Sequence, residues 1–373
     1  MKKILVTGSE GFIAKNFIIN FKNNPNFKIY RYSHESDLSL LTEYLKKVNY
    51  VIHLAGENRP KKKENFKKNN VEFTRILCQK INDQIKNSKK KIKLIFTSSV
   101  HAMSETKYGK SKLEAEKIIK KYKSKYFLIN IFRLPGVFGK WCKPNYNSVV
   151  ATFCHNIARN LPIKINDPKH KLKLVYIDDV IKAINQLLIM KESKIIKKIK
   201  PEYLISVKDL ALKIKGFKFS RKNLEIDTMG NGFSKLLYST YLSYLPSNQF
   251  SYSLKENKDV RGKFVEIFKS KLFGQMSYLT ININKDRGGH YHHTKTEKFL
   301  VVKGKGLFRF RDLLTNNFVE LKVSAKECRV VDTIPGWAHD IINIGSEELV
   351  VIVWANEIYD SQNPDTIQHG VAK

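Results

Sequence analysis

"KKILVTGSEGFIAKN", residues 2–16, decides the reading of the first half of this chain. "KKILVTG" is a short apolar run ending on a glycine turn, the pattern of a buried strand. "FIAKNFIINFK" then continues with helical periodicity. Between them lies Gly8-Ser9-Glu10-Gly11-Phe12-Ile13-Ala14. Gly8 permits the tight turn, and Gly11 lets a pyrophosphate approach backbone amides at the helix start. Ala14 stands where a third glycine is usual, and close helix–strand packing tolerates its methyl.

The stretches that follow extend the pattern. "FKIYRY" (27–32) reads as a second strand. "SDLSLLTEYLKKVNYVIHLAG" (36–56) gives an aspartate, a helix and a third buried strand. That β-α-β order predicts a doubly wound parallel sheet of Rossmann type. No acidic residue ends the second strand to take a ribose hydroxyl. Arg31 is there instead, and an arginine suits a 2′-phosphate, so NADPH is expected over NADH.

"KLIFTSSVHAMSETKYGKSKLEAEKIIKKY" (93–122) places Thr97-Ser98-Ser99 at a strand end, and Tyr108 at a helix start with Lys112 four residues on. Positions i and i+4 share a helix face, so the ammonium is expected beside the phenol. That charge, together with the charge of a nearby cofactor, is expected to lower the tyrosine's pKa and let Tyr108 exchange a proton near neutral pH. Ser99 is positioned to hydrogen-bond a substrate carbonyl.

These motifs together resemble the extended short-chain dehydrogenase/reductases, the superfamily of nucleotide-sugar epimerases, dehydratases and reductases. The resemblance covers residues 1–245. It implies that Gly8, Gly11, Phe12 and Ile13 form the cofactor loop, with Asp37 and Leu38 beside the adenine. Ala55 of "HLAG" would line the cofactor, and Ser99, Tyr108 and Lys112 would be the catalytic set. "FRLPGVFGKWCKPNYNS" (132–148), which includes Asn145, and "KLVYIDDV" (173–180) match segments beside the substrate. Gly136 departs from the family pattern, which often has an asparagine there.

From residue 246 the texture changes to short β-rich runs with glycine punctuation and no helix of any length, which indicates an all-β sandwich or jelly roll. Within "GGHYHHTKTEKFLVVKGKG" (288–306), His290 and His292 are two apart and so face one side of a strand. Glu297 follows after a turn, and His339 in "PGWAHDIIN" (335–343) falls on a later strand. Three histidines and a carboxylate suit Zn²⁺, with Fe, Mn or Ni as other divalent candidates.

The spacing resembles both motifs of the cupin superfamily, with Pro335 abutting Gly336 where the second motif has an intervening residue. "DVRGKFVEIF" (259–268) resembles a segment of nucleotide-sugar 3,5-epimerases, which implies that Arg261 holds substrate and Glu266 supports the site. Lys298, His293 and a metal-bound water are the candidates for an epimerase base.

A reductase joined through "LYSTYLSYLPSNQFSYSL" (237–254) to a cupin barrel resembles, over the whole length, the bifunctional capsular-polysaccharide reductases of the UDP-N-acetyl-L-fucosamine route. That implies 3-epimerisation and NADPH-dependent 4-keto reduction of UDP-2-acetamido-2,6-dideoxy-4-hexulose to UDP-2-acetamido-2,6-dideoxy-L-talose. It also implies a UDP-linked 4-keto-6-deoxy amino sugar as partner, a Zn²⁺ site and a homodimer. Three alternatives are a simple 4-ketoreductase whose cupin is structural or dimerising, the same enzyme on a sugar with a different substituent or nucleotide, and a non-enzymatic sugar- or nucleic-acid-binding protein.

Composition sets the outer bounds. At 373 residues with 42% hydrophobic content, the chain has room for two packed cores. The net charge of +34 raises nucleic-acid binding. However, the lysine runs at 60–68 and 86–93 lack interleaved aromatics, so no nucleic-acid partner is expected. No apolar run reaches the roughly 18–20 residues that span a bilayer, so no membrane insertion and a cytoplasmic location are expected. The four cysteines form no CxxC pair, which leaves any metal to histidine and carboxylate.

Overall fold

A computed structural model describes residues 1–60, 65–190, 198–226 and 229–372, so part of the lysine run at 60–68 lies outside the described residues. The chain forms two compact units. One comprises 1–216 with 232–246, and the other 217–231 with 247–373.

The first unit starts with β1 (Lys2–Thr7), α1 (Phe12–Phe21), β2 (Phe27–Tyr32), α2 (Leu38–Lys47) and β3 (Tyr50–His53). It continues with α3 (Phe73–Ser88), β4 (Ile92–Ser99), α4 (Lys107–Lys121) and β5 (Phe127–Leu134). These five strands make one parallel sheet in the order β2-β1-β3-β4-β5. Parallel strands are covered on both faces, and successive residues point to opposite layers. Leu5, Val51, Leu94 and Phe96 pack with Leu41, Leu45, Leu77, Ile81 and Ile119 of α2, α3 and α4. Ile4, Val6, Ile52 and Ile95 point the other way, toward Phe17 of α1.

Next come β6 (Gly136–Phe138), α5 (Val149–Ala158), β7 (Lys171–Tyr176), α6 (Ile177–Ile189), β8 (Tyr203–Ser206), α7 (Val207–Asn223), whose residues from 217 on count with the second unit, and α8 (Gly232–Leu242). Strands β6, β7 and β8 form a small separate sheet, and Ile181, Ile184 and Leu188 of α6 complete the second layer beneath the main one. Each such fully buried aliphatic side chain contributes about 1.5–3 kcal/mol. The strand order reverses between β1 and β3, so the crevice at their carboxyl ends is the expected ligand position of a doubly wound sheet.

The two sheets of the second unit are antiparallel. It contains β9 (Glu256–Asp259), β10 (Gly262–Ser270), β11 (Gly274–Ile281), β12 (Asp286–Tyr291), β13 (Glu297–Lys303) and β14 (Lys305–Asp312). Then follow β15 (Phe318–Ser324), β16 (Val330–Asp332), β17 (Trp337–Asn343), β18 (Leu349–Ala355) and β19 (Ile367–Gln368). One sheet runs β16-β13-β18-β11-β10-β9 and the other β15-β14-β17-β12-β19. Their inner faces meet in a core of Ile281, Phe299, Val301 and Val351 against Phe308, Phe310, Val323 and Ile341. This is the two-sheet, jelly-roll type of arrangement that the strand punctuation predicts. Residues 217–231 add to it: Glu225 bridges Lys269, whose amide donates to the Leu224 carbonyl.

Candidate functional site

The turn after β1 is built for close approach. Gly8 has φ +67°, and a Cβ there would lie 2.7 Å from the backbone of Ala55, just beyond β3. The Gly11 amide donates to the Gly8 carbonyl at 2.8 Å, and Gly11 caps α1. No side chain caps that helix start and no acidic residue sits in its first turn. Its leading amides, which include those of Phe12 and Ile13, therefore face outward with the positive end of the helix dipole. A dinucleotide pyrophosphate fits this cradle.

Arg31 is exposed on β2, while its neighbour Tyr32 is buried. Asp37 is the N-cap of α2, accepting from the Leu40 amide at 2.8 Å and the Ser39 hydroxyl at 2.6 Å, and Leu38 is exposed.

Ser99 ends β4, buried, and Tyr108 and Lys112 stand one turn apart on α4, whose N-cap is Thr106. The Lys112 ammonium donates to the Thr97 carbonyl at 3.2 Å and lies 5.0 Å over the Phe96 ring. Burial brings it down to about 8, with Glu116 pulling the other way. The Tyr108 phenol departs from expectation. It is raised, not lowered, because burial outweighs the hydrogen bond with Ser99. Desolvation penalises the phenolate more than the neighbouring groups stabilise it. Tyr108 is thus held in its proton-bearing form, the form an acid needs.

Glu116, one turn beyond Lys112, is wholly buried and receives Ser98 Oγ at 2.6 Å and Arg133 at 2.9 and 2.7 Å. It ties β4, α4 and β5 together beneath the catalytic set. Asn145 is exposed at φ +54°, in the loop before α5, with its amide donating to Thr152 Oγ1 at 2.9 Å.

In the second unit, register brings the four metal candidates together. His290 on β12 pairs with His339 on β17, and Glu297 opens β13. Their ligating atoms, with one from His292, all lie within 4.8 Å of one another. Glu297 Oε2 is 3.3 Å from His292 Nε2 and 3.5 Å from His339 Nε2. A tetrahedral zinc with bonds near 2.05 Å needs ligand–ligand edges of roughly 3.3 Å, so this donor set fits a divalent ion. Burial holds His290 down to about 4, in the neutral form that ligates. Burial alone would raise the Glu297 carboxyl, yet hydrogen bonds from His292, His339 and Lys295 hold it well below the usual range.

Other expected residues make local pairings of their own. Arg261 folds back on Asp259 at 2.7 Å within the β9–β10 turn, and Arg287 joins the same carboxylate at 3.1 Å. Glu266 pairs with Lys269 at 3.0 Å on its own strand. Lys298 is half exposed and pairs with Asp332, and His293 is exposed beside the Tyr291 ring. The group missed from sequence is Lys295, buried, with its ammonium 3.0 Å from Glu297 Oε1.

Comparison with known proteins agrees with both halves. Residues 4–199 match the NAD dependent epimerase/dehydratase family, and residues 257–367 match a polysaccharide biosynthesis C-terminal domain. The chain is 43% identical to the UDP-2-acetamido-2,6-beta-L-arabino-hexul-4-ose reductase of Pseudomonas aeruginosa, over 98% of this chain and 97% of that protein. The crystal structure of the capsular polysaccharide assembling protein CapF from Staphylococcus aureus is 37% identical, with TM-score 0.90, covering 99% of this chain and 100% of that one. UDP-glucuronic acid 4-epimerase from Bacillus cereus shares the fold over 58% of this chain and 84% of its own, at 20% identity and TM-score 0.51. This chain, with its glycine cradle, its Ser99–Tyr108–Lys112 set and its C-terminal β-unit, belongs to the NAD dependent epimerase/dehydratase family.

Proposed function

We propose that the chain is a bifunctional nucleotide-sugar enzyme, which epimerises carbon 3 and reduces the 4-ketone of UDP-2-acetamido-2,6-dideoxy-4-hexulose. The product is UDP-2-acetamido-2,6-dideoxy-L-talose, on the route to UDP-N-acetyl-L-fucosamine for a capsule or O-antigen. The observation that carries this reading is one chain holding both a Ser–Tyr–Lys set and a buried His₃Glu quartet, at 43% identity to a UDP-hexulose reductase.

When bound, NADPH supplies the hydride and a divalent ion in the quartet supplies Lewis-acid polarisation of the ketone. The chain's residues do the rest. Amides at the start of α1 hold the pyrophosphate, and exposed Arg31 suits the 2′-phosphate. The Ser99 hydroxyl donates to the ketone oxygen. As carbon 4 gains its hydride, Tyr108 delivers its proton to that oxygen, and the Lys112 ammonium stabilises the phenolate left behind. His290, His292, Glu297 and His339 would hold the ion, Zn²⁺ by preference of the donor set. Protons next to the ketone are acidic, so exchange at carbon 3 can precede reduction, and the nearly irreversible hydride step then fixes the new configuration.

The same reading takes the protein as a cytoplasmic homodimer; no described helix is long and apolar enough to cross a membrane. The test is incubation with the 4-hexulose and NADPH in D₂O, with the product read by NMR. Deuterium at carbon 3 of a reduced talo sugar is expected. Reduction without deuterium would leave a simple 4-ketoreductase, and no NADPH consumption would refute the substrate.

A further inference from the structure

The last residues of the chain fold back over the loop that joins β12 to β13, where His292 sits. The Asp365 carboxylate there accepts from three consecutive backbone amides. His293 donates to Oδ1 at 2.9 Å, while Thr294 and Lys295 donate to Oδ2 at 2.7 and 2.8 Å. The Thr294 hydroxyl adds a fourth contact to Oδ2 at 3.1 Å. The backbone carbonyl of the same residue meets His292 Nδ1. A carbonyl can only accept, so Nδ1 of His292 carries a proton, and Nε2, which faces Glu297 Oε2 at 3.3 Å, is the nitrogen that would be left to ligate an ion in the quartet.

The chain beyond Asp365 continues the clasp. Ile367 and Gln368 of β19 pair with Tyr291 and His290 of β12. The His369 amide donates to the Gly289 carbonyl at 2.9 Å. Arg311 then holds the carbonyls of Val371 and Ala372 at 3.2 and 2.9 Å. The tail therefore touches His290 on β12, His292 just beyond it, and the loop between His292 and Glu297.

We infer that Asp365 is a positioning residue for the His290/His292/Glu297/His339 quartet, its carboxylate fixing the 293–295 loop and its carbonyl fixing the His292 tautomer. The inference rests on the reading of that quartet as a divalent-metal site. Groups that orient a ligating imidazole through its second nitrogen typically govern metal affinity by 10–100-fold. Here one residue supplies that carbonyl and also anchors the loop carrying the ligand. Neither its place, 68 residues after Glu297, nor the sequence around it marks it as part of the site.

The test uses the full chain and Zn²⁺, titrated in competition with the chromophoric chelator 4-(2-pyridylazo)resorcinol. Asp365→Ala should weaken Zn²⁺ binding by about 10–100-fold while NADPH binding in the other unit is unchanged. Asp365→Asn should fall between, because its amide retains one acceptor oxygen but cannot accept at both positions; it carries the test should the alanine variant fail to fold. Asp360→Ala, in the same tail but, among the described residues, bonded only to the Gln362 amide in its own turn, should match wild type. Melting of the metal-free protein separates roles: a merely structural Asp365 would lower that melting temperature and leave the Zn²⁺ affinity unchanged. Wild-type affinity in both Asp365 variants would overturn the inference and leave the metal reading standing. No Zn²⁺ binding by the wild-type protein would overturn the metal reading and the inference together.

Discussion

Lys112 holds a proton whose loss can be followed in solution. Burial among β4 and α4 brings its ammonium from the ordinary 10.5 down to about 8. Tyr108, the proposed acid, moves the other way and stays above 10.0, so the two titrations do not overlap. A group with its midpoint at 8 keeps its proton in roughly ten molecules of eleven at pH 7 and in roughly one of eleven at pH 9. If that charge stabilises the phenolate formed during reduction, kcat/KM should fall about tenfold across those two pH units. The assay is NADPH oxidation at saturating NADPH with the sugar varied, so that kcat/KM for the sugar reports the enzyme form that the sugar meets. Lys112→Met should start low and show no descent through the same window. A wild-type profile flat to pH 9.5 would refute the argument, as would the same descent persisting in Lys112→Met.

Four other outcomes are expected. Gly8→Ala should weaken NADPH binding at least tenfold in a fluorescence titration, since a Cβ would sit 2.7 Å from Ala55 backbone and a left-handed non-glycine residue costs about 1–2 kcal/mol. Tyr108→Phe should cut ketone reduction by roughly 10²–10⁴ yet spare deuterium exchange at carbon 3, and His292→Ala should do the reverse, both read by NMR in D₂O. Glu116→Gln should destabilise the first unit by about 3–5 kcal/mol in urea unfolding, because it leaves the Arg133 guanidinium without its buried counter-charge.

What the sequence revealed follows from period and spacing. The glycine turn, the strand ending in Ser99 and the i, i+4 pair of Tyr108 and Lys112 are local features, and all stand where the pattern puts them. The quartet was legible from spacing, although the strand carrying His290 ends at Tyr291 and His292 lies just past it rather than on it. Glu297 opens one strand and His339 sits within another. Long-range burial was not legible. The sign of the Tyr108 shift depends on how much water α4 excludes, which no motif encodes. Lys298 was a candidate because it adjoins Glu297, but adjacent strand residues face opposite sides, so alternation alone argues against it. Lys295 and Asp365 reach the site through a loop and a tail, where no periodicity applies. Arg261 satisfies its motif in sequence yet spends its guanidinium on Asp259 two residues away.

The excursion of residues 217–231 into the second unit bears on how the two halves can be separated. The polypeptide crosses between the units three times, near 216, 231 and 246, before it settles into the jelly roll. A cut at 245 would therefore give two incomplete pieces. The carboxyl fragment would lose the stretch that pairs with Lys269 at the end of β10, exposing backbone groups there. The amino fragment would keep a dangling segment folded for another partner. A ribosome making this chain meets the same constraint. It must extrude part of the second body before the first can close with α8, so the halves mature as interleaved pieces of one fold.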